Sequence, residues 1–155
     1  MEEPAWTKAG AGERTTVRVR VADTDLMGVV YNANYLVWFE IGRTELIRAR
    51  GLSYAEVERR GISLPVIEAR FRVRRPARYD DLVTIETRIG ELRSRRVDFL
   101  YRLTSPDGLL VEGSTVHVPL DQAARKAVSM PDWLLAPLRK RRPAASDPAS
   151  PSSPS

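Results

Sequence analysis

Five consecutive residues, Tyr35-Leu36-Val37-Trp38-Phe39, are apolar, and Ile41, Leu46 and Ile47 extend that surface along a helical segment from about Asn34 to Arg50. A helix apolar on every side is buried, because a surface helix would turn a polar stripe to water. Gly51 is placed as its C′ residue, and Ser53 can cap a short second helix, Tyr54 to Arg60, which Gly61 ends. Strand patterns surround this helix. Thr16 to Val21 alternates Val17, Val19 and Val21 with Arg18 and Arg20. After the helices come four extended segments, Leu64 to Arg74, Leu82 to Leu92, Arg95 to Thr104 and Leu109 to Val118. Asp80-Asp81 and Ser105-Pro106-Asp107-Gly108 supply turns between them. In the third segment Val97, Phe99 and Tyr101 share one face, with Asp98, Leu100 and Arg102 on the other. Pro131-Asp132-Trp133-Leu134-Leu135 predicts a short closing helix with Pro at its first turn. The order is strand, buried helix, then four strands joined by short turns. An α+β domain in which one antiparallel sheet wraps a single long central helix satisfies it.

The ends of the chain read differently from this body. Residues 1–13 carry Gly10 and Gly12 without periodicity and predict a loose arm, which leaves 14–138 as one domain. Residues 139–155 begin with Arg139, Lys140, Arg141 and Arg142 and pass into a Pro/Ser run that cannot bury apolar surface, so a disordered basic tail is expected. The formal charge of +5 resides largely there, since without 139–155 the chain holds 21 basic and 19 acidic residues. A near-neutral body argues against a nucleic-acid-binding protein. No Cys is present, which excludes disulfides, thiolate metal sites and a Cys nucleophile. The acidic, polar start Met1-Glu2-Glu3-Pro4 lacks the pattern of a secretory signal, and no apolar run approaches the ~20 residues of a membrane span. A cytoplasmic protein is the expectation.

The chemistry concentrates between the first strand and the long helix, in Asp23-Thr24-Asp25-Leu26-Met27-Gly28-Val29-Val30-Tyr31-Asn32-Ala33-Asn34-Tyr35. Two carboxylates leave a strand, Gly28 permits a tight bend, and a helix begins just beyond. A carboxylate beside the exposed N–H groups of a helix start is a minimal device for acyl transfer. Rival explanations exist. Asp is a common turn residue, and either Asp can simply bond the loop. An EF-hand starting at Asp23 fails because Met27 takes a ligand position and Asn34 stands where the bidentate Glu belongs. A phosphatase-type Asp-x-Asp follows a strand buried on both faces, which Arg18 and Arg20 argue against. His117, the one histidine, lies far from this loop in the last long strand and reads as structural or half-exposed. There is no Gly-x-Ser-x-Gly elbow, no cluster with metal-ligand spacing, and no expected cofactor.

The run Asp23-Thr24-Asp25-x-x-Gly28-Val29-Val30-Tyr31-x-x-Asn34-Tyr35, followed by Trp38-Phe39-Glu40 and Arg43, resembles the signature of the 4-hydroxybenzoyl-CoA thioesterase family of hotdog-fold proteins. It is most similar to the branch that includes the Tol-Pal-associated acyl-CoA thioesterases. The similarity continues through Pro76-Ala77-Arg78-Tyr79-Asp80-Asp81 and the Val116 to Pro131 region. The resemblance implies a thioester hydrolase acting on acyl-CoA or an acyl carrier protein. In it Asp25 is nucleophile or general base, and an oxyanion donor is a backbone N–H around Tyr31, Asn32 and Ala33. Gly28, Val29, Val30 and Arg43 would contact substrate, and Arg125 and Lys126 would meet coenzyme A phosphates, although a solvated loop charge is the plainer account of each. A homodimer or a dimer of dimers, a homotetramer, is implied as well. Asn32 departs from the branch, many of whose members carry His there, and Asn cannot shuttle a proton at neutral pH. An Asp25-plus-amide mechanism survives that change. A hydratase, which generally uses a His, and a noncatalytic acyl-binding dimer are the alternatives.

Overall fold

The computed structural model describes residues 3–139. Its chain order is α1 (Glu3–Lys8), β1 (Glu13–Arg18), a 3-10 turn Val21–Asp23, α2 (Ala33–Ala49), α3 (Tyr54–Arg59), β2 (Ile62–Ser63), β3 (Val66–Val73), β4 (Leu82–Arg93), β5 (Arg96–Ser105), β6 (Gly108–His117), β7 (Leu120–Asp121), β8 (Lys126–Ala127) and α4 (Asp132–Arg139). A fully antiparallel sheet in the order β1-β4-β5-β6-β3 curls around α2, and β2-β7-β8 form a small second sheet.

The helix is seated by close packing. Tyr35, Trp38, Phe39, Gly42, Leu46 and Ile47 are buried, and Val97, Phe99 and Tyr101 rise from β5 to meet them, on the face their alternation predicts. Phe39 stacks on Tyr101 with ring centroids 4.2 Å apart. Two glycines permit the approach. A Cβ on Gly113 of β6 would lie 2.6 Å from Phe39 Cζ, and one on Gly42 would lie 2.3 Å from Thr87 Oγ1.

Burial of α2 is incomplete, contrary to the all-round burial its composition predicts. Leu36 and Val37 remain 37% and 50% exposed, because one sheet covers only one side of a cylinder. The edge strand β3 is open on the same side, with Val66, Ile67 and Phe71 exposed. Other differences have local causes. The first strand covers 13–18 rather than 16–21; beyond it the 3-10 turn intervenes and leaves Val21 71% exposed. The extended segment expected from Leu64 begins instead at Val66, since Pro65 lacks the N–H a ladder needs.

The expected loose arm contains α1, whose Trp6 is buried against the outer sheet face with Arg88 and Arg102 over its ring at 4.1 and 4.7 Å. Two cation–π contacts, each ~0.5–1 kcal/mol or more, explain why a segment without periodicity is held. Arg139 ends α4, and the rest of the expected tail lies outside the described residues. Across the outer sheet face one row alternates in charge, Arg14, Glu86, Arg102, Glu112 and Arg72, each directly opposite the next on all five strands.

His117 is fully buried, edge-on to Phe99. Its Nδ1 lies 2.9 Å from the Leu64 carbonyl and its Nε2 2.8 Å from Thr115 Oγ1, which is itself 2.6 Å from the Tyr101 hydroxyl. A carbonyl only accepts, so Nδ1 carries the proton, Thr115 donates to Nε2, and Tyr101 donates to Thr115. Burial lowers the His117 pKa to about 4, with the nearby Arg43 charge adding to the effect and the Leu64 bond opposing it. The ring is therefore neutral and structural.

Two outcomes are expected. Gly113→Ala should destabilise the fold by about 1–3 kcal/mol through overpacking against Phe39, read from urea unfolding; an unchanged midpoint would contradict the seating of α2 on β6. His117 binds its proton more readily unfolded than folded, so its contribution is complete above pH ~6.5 and is lost as pH falls toward 4, on the order of 3 kcal/mol in all. Unfolding free energies across that range should fall much less steeply in His117→Gln; identical slopes would show that another group titrates.

Candidate active site

The loop between β1 and α2 is built around Asp23. Its Oδ2 accepts the Arg20 backbone N–H at 2.8 Å and its Oδ1 accepts the Arg20 guanidinium at 2.9 Å. Burial pushes the Asp23 carboxyl up, but the Arg20 hydrogen bonds and charge together outweigh it and hold the group below its ordinary value. The Asp23 carbonyl accepts Tyr31 N–H at 2.8 Å and Asn34 Nδ2 at 2.9 Å. Its carboxylate and N–H thus close the 3-10 turn on Arg20, and its carbonyl ties that turn to the helix start.

Asp25 is placed differently. It opens a tight hairpin in which its N–H donates to Val29 O, Gly28 N–H returns to Asp25 O, and Thr24 bridges Val30. Gly28 has φ +79, the left-handed residue such a three-residue loop requires. Met27 N–H donates to Asp25 Oδ1 at 2.7 Å, which orients the carboxylate, while Oδ2 has no partner among the described residues. The side chain is exposed. Its charge reaches the buried Tyr35 phenol, whose pKa is raised first by burial and further by Asp25.

The helix start completes the arrangement. Asn34 N–H donates to Tyr31 O and Tyr35 N–H to Asn32 O, so the first free donors are the amides of Asn32 and Ala33. The Tyr31 amide, expected among the donors, is already engaged by Asp23 O. Asn32 and Ala33 are both exposed, and Asn32 makes no capping bond with its side chain. Two N–H groups without a partner among the described residues, at the positive end of a 17-residue helix, can receive a negatively charged group.

The Pro76–Asp81 segment clamps this loop from below. Val30 N–H donates to Ala77 O, Ala77 N–H donates to Tyr35 Oη at 3.1 Å, and Val29 bridges Arg78. Val30 is buried and Val29 half-buried, so these two anchor the hairpin. Asn34, Tyr35 and Ala77 thus hold the site without entering the expected set. The helix-start position of Asn34 and the Pro-Ala pair were the available signals.

The remaining expected residues lie apart from Asp25. Arg43, half-buried ten residues along α2 from Ala33, is roughly 15 Å away along the axis. With Leu36, Val37, Glu40, Val66, Ala69 and Thr115 it lines an open cleft of about 270 Å³ between α2 and β3. Arg43 also faces the Tyr101 phenol, opposing the rise that burial imposes on it. Arg125 and Lys126 are exposed, Arg125 in the turn before β8 and Lys126 as the first residue of β8 in the small sheet. That sheet joins the rest of the chain through β2, which precedes β3, whereas the hairpin bridges Arg78, beyond the end of β3.

Comparisons place this architecture among known proteins. The model of the thioesterase-like superfamily matches residues 19–138. YneP of Bacillus subtilis is 34% identical over 122 residues, 76% of this chain and 88% of that one. The acyl-CoA thioester hydrolase YbgC of Escherichia coli is 30% identical over 128 residues, 82% of this chain and 96% of that one. Among solved structures, the DHNA-CoA thioesterase of Staphylococcus aureus superposes with a TM-score of 0.76 at 30% identity, covering 79% of this chain and 86% of that one. The hairpin, the helix start and every strand of the wrapped sheet except β1 fall within the matched span, and the chain belongs to the thioesterase-like superfamily, with the hotdog fold.

Proposed function

We propose that this protein hydrolyses an acyl thioester of coenzyme A, or of an acyl carrier protein, to a carboxylic acid and a free thiol. The observation that carries this reading is the pairing, in one rigid loop, of a carboxylate oxygen without a partner on Asp25 with two unpaired amides at the start of α2. The thioester carbonyl oxygen accepts from Asn32 and Ala33 N–H, which stabilise the negative charge that develops on it. Asp25 then either attacks the carbonyl carbon or draws a proton from an attacking water. On either route the C–S bond breaks and the sulfur leaves as the thiol, its proton coming from solvent on the first route and from Asp25 on the second. On the first route water then hydrolyses the acyl–Asp25 anhydride, releasing the acid and regenerating the carboxylate.

No histidine takes part. His117 is buried with both ring nitrogens engaged, which disfavours a hydratase built on it. Asn32 contributes its amide N–H, a role to which the side chain is incidental. Gly28, Val29 and Val30 shape the hairpin beside the reacting carbon, and the acyl group extends along α2 past Leu36 and Val37 toward Arg43.

The same reading requires a second copy of the chain. The cleft is open on the side where Leu36, Val37 and the β3 edge are exposed. Pairing β3 to β3 antiparallel covers that side and brings the start of one strand beside the end of the other. It thereby carries Arg125 and Lys126 of one copy toward the Asp25 hairpin of its neighbour, where they can meet coenzyme A phosphates. A dimer is the minimal working unit, and a dimer of dimers is compatible with it.

Thiol release from a panel of acyl-CoAs should fall about 10²–10⁴-fold in Asp25→Asn with the fold intact by circular dichroism. Equal rates in variant and wild type would sink the role of Asp25. Binding without turnover across the panel would favour a noncatalytic acyl-binding dimer.

A further inference from the structure

We propose that two copies pair along β3 about a two-fold axis at Ala69, so that Glu68 of each copy stands directly opposite Arg70 of the other. The inference rests on the edge-to-edge dimer proposed above and goes beyond it by fixing which residues meet. Three constraints select the register.

The first is the direction of the backbone. Arg74 N–H donates to Leu110 O at 2.7 Å, and β3 and β6 are in regular antiparallel register from Glu68 to Val73. Backbone groups of even-numbered residues in that stretch therefore point to β6, and those of Ala69, Phe71 and Val73 point to the open edge. The position of the Arg70 carbonyl, 2.5 Å from where a Gly113 Cβ would stand, agrees. A second strand bonds through the odd-numbered residues. It then meets the even-numbered ones at non-hydrogen-bonded sites, where facing side chains come closest.

The second constraint is the pleat. Ala69, Phe71 and Val73 turn toward α2, while Glu68, Arg70 and Arg72 turn to the outer face. A two-fold pairing keeps inner residues opposite inner and outer opposite outer only when the axis passes through a residue.

Charge is the third. With the axis on Glu68, two carboxylates face each other. On Phe71, Arg70 faces Arg72 twice. On Arg70, Arg72 gains Glu68 but two guanidiniums meet at the axis, at a closest-approach site. On Ala69 alone, opposite charges face at both flanking positions and no like charges face. Glu68 and Arg70 already pair along their own strand at 2.7 Å, so this register assembles four alternating charges around the axis. It also sets the exposed Phe71 opposite the bulge at Ile67, giving each an apolar neighbour.

The chain has no Cys, which makes single-cysteine cross-linking clean. Ala69→Cys should oxidise to a disulfide-linked dimer, since facing Cα atoms in a hydrogen-bonded pair are ~5.5 Å apart. Glu68→Cys and Arg70→Cys should not, because their symmetry mates lie beyond ~7 Å. Efficient cross-linking through position 70 or 68 instead would overturn the register while leaving the dimer standing. In sedimentation, Glu68→Arg should weaken the dimer more than tenfold and Glu68→Arg with Arg70→Glu should restore it to within a few-fold. Failure of the double variant to recover would point to an axis elsewhere. A monomeric wild type at tens of micromolar would overturn the dimer itself.

Discussion

Everything in this molecule depends on how closely α2 lies in the sheet. Phe39 stacks on Tyr101 and rests where Gly113 has no side chain, while Gly42 meets Thr87 and Ile85 across a similar gap. That contact fixes the helix axis and therefore the point at which its first amides emerge. Tyr35, one turn in, ties the helix to Ala77, and Ala77 ties the hairpin through Val30. Asp25 is held relative to Asn32 and Ala33 by this chain of short bonds. It is not held by any direct bond of its free carboxylate oxygen, which remains available for chemistry.

The two Asp residues of the loop have opposite surroundings. Asp23 is buried, charge-paired with Arg20 and saturated with hydrogen bonds, and its carbonyl joins the loop to the helix. Asp25 sits one bulged turn later and is exposed. Two residues of one type at a spacing of two thus differ in burial and in partners, and the proposed chemistry falls on the exposed one. The single histidine follows the same logic in reverse. A residue suited to proton transfer is buried, its tautomer is fixed by Leu64 and Thr115, and its pKa is driven down to about 4.

Much of this was legible in the sequence. The uninterrupted apolar run at Tyr35 to Phe39 announced the central helix, and the alternation of Val97, Phe99 and Tyr101 announced the strand facing it. The spacing Asp25 to Gly28 marked the hairpin. What escaped depended on partners distant in sequence. Trp6 is anchored by Arg88 and Arg102, which no local pattern around residue 6 reveals. Engagement of the Tyr31 amide by Asp23 depends on the 3-10 turn between β1 and the hairpin, where the alternating valines predicted continued strand. Full burial of α2 failed as an expectation because composition describes what a helix must cover, not whether its own chain supplies the cover. Leu36, Val37 and the β3 edge are the residue of that difference, and the proposed second copy would cover them.

The proposed chemistry has a thioester carbonyl received by two backbone amides at a helix start beside Asp25, without a histidine. A crystal structure with a nonhydrolysable acyl-CoA analogue tests it most directly. The carbonyl oxygen is expected about 2.7–3.1 Å from the Asn32 and Ala33 nitrogens, with an Asp25 carboxylate oxygen facing the carbonyl carbon directly or through one water. A carbonyl bound away from these amides, or polarised by a side chain in their place, would contradict it.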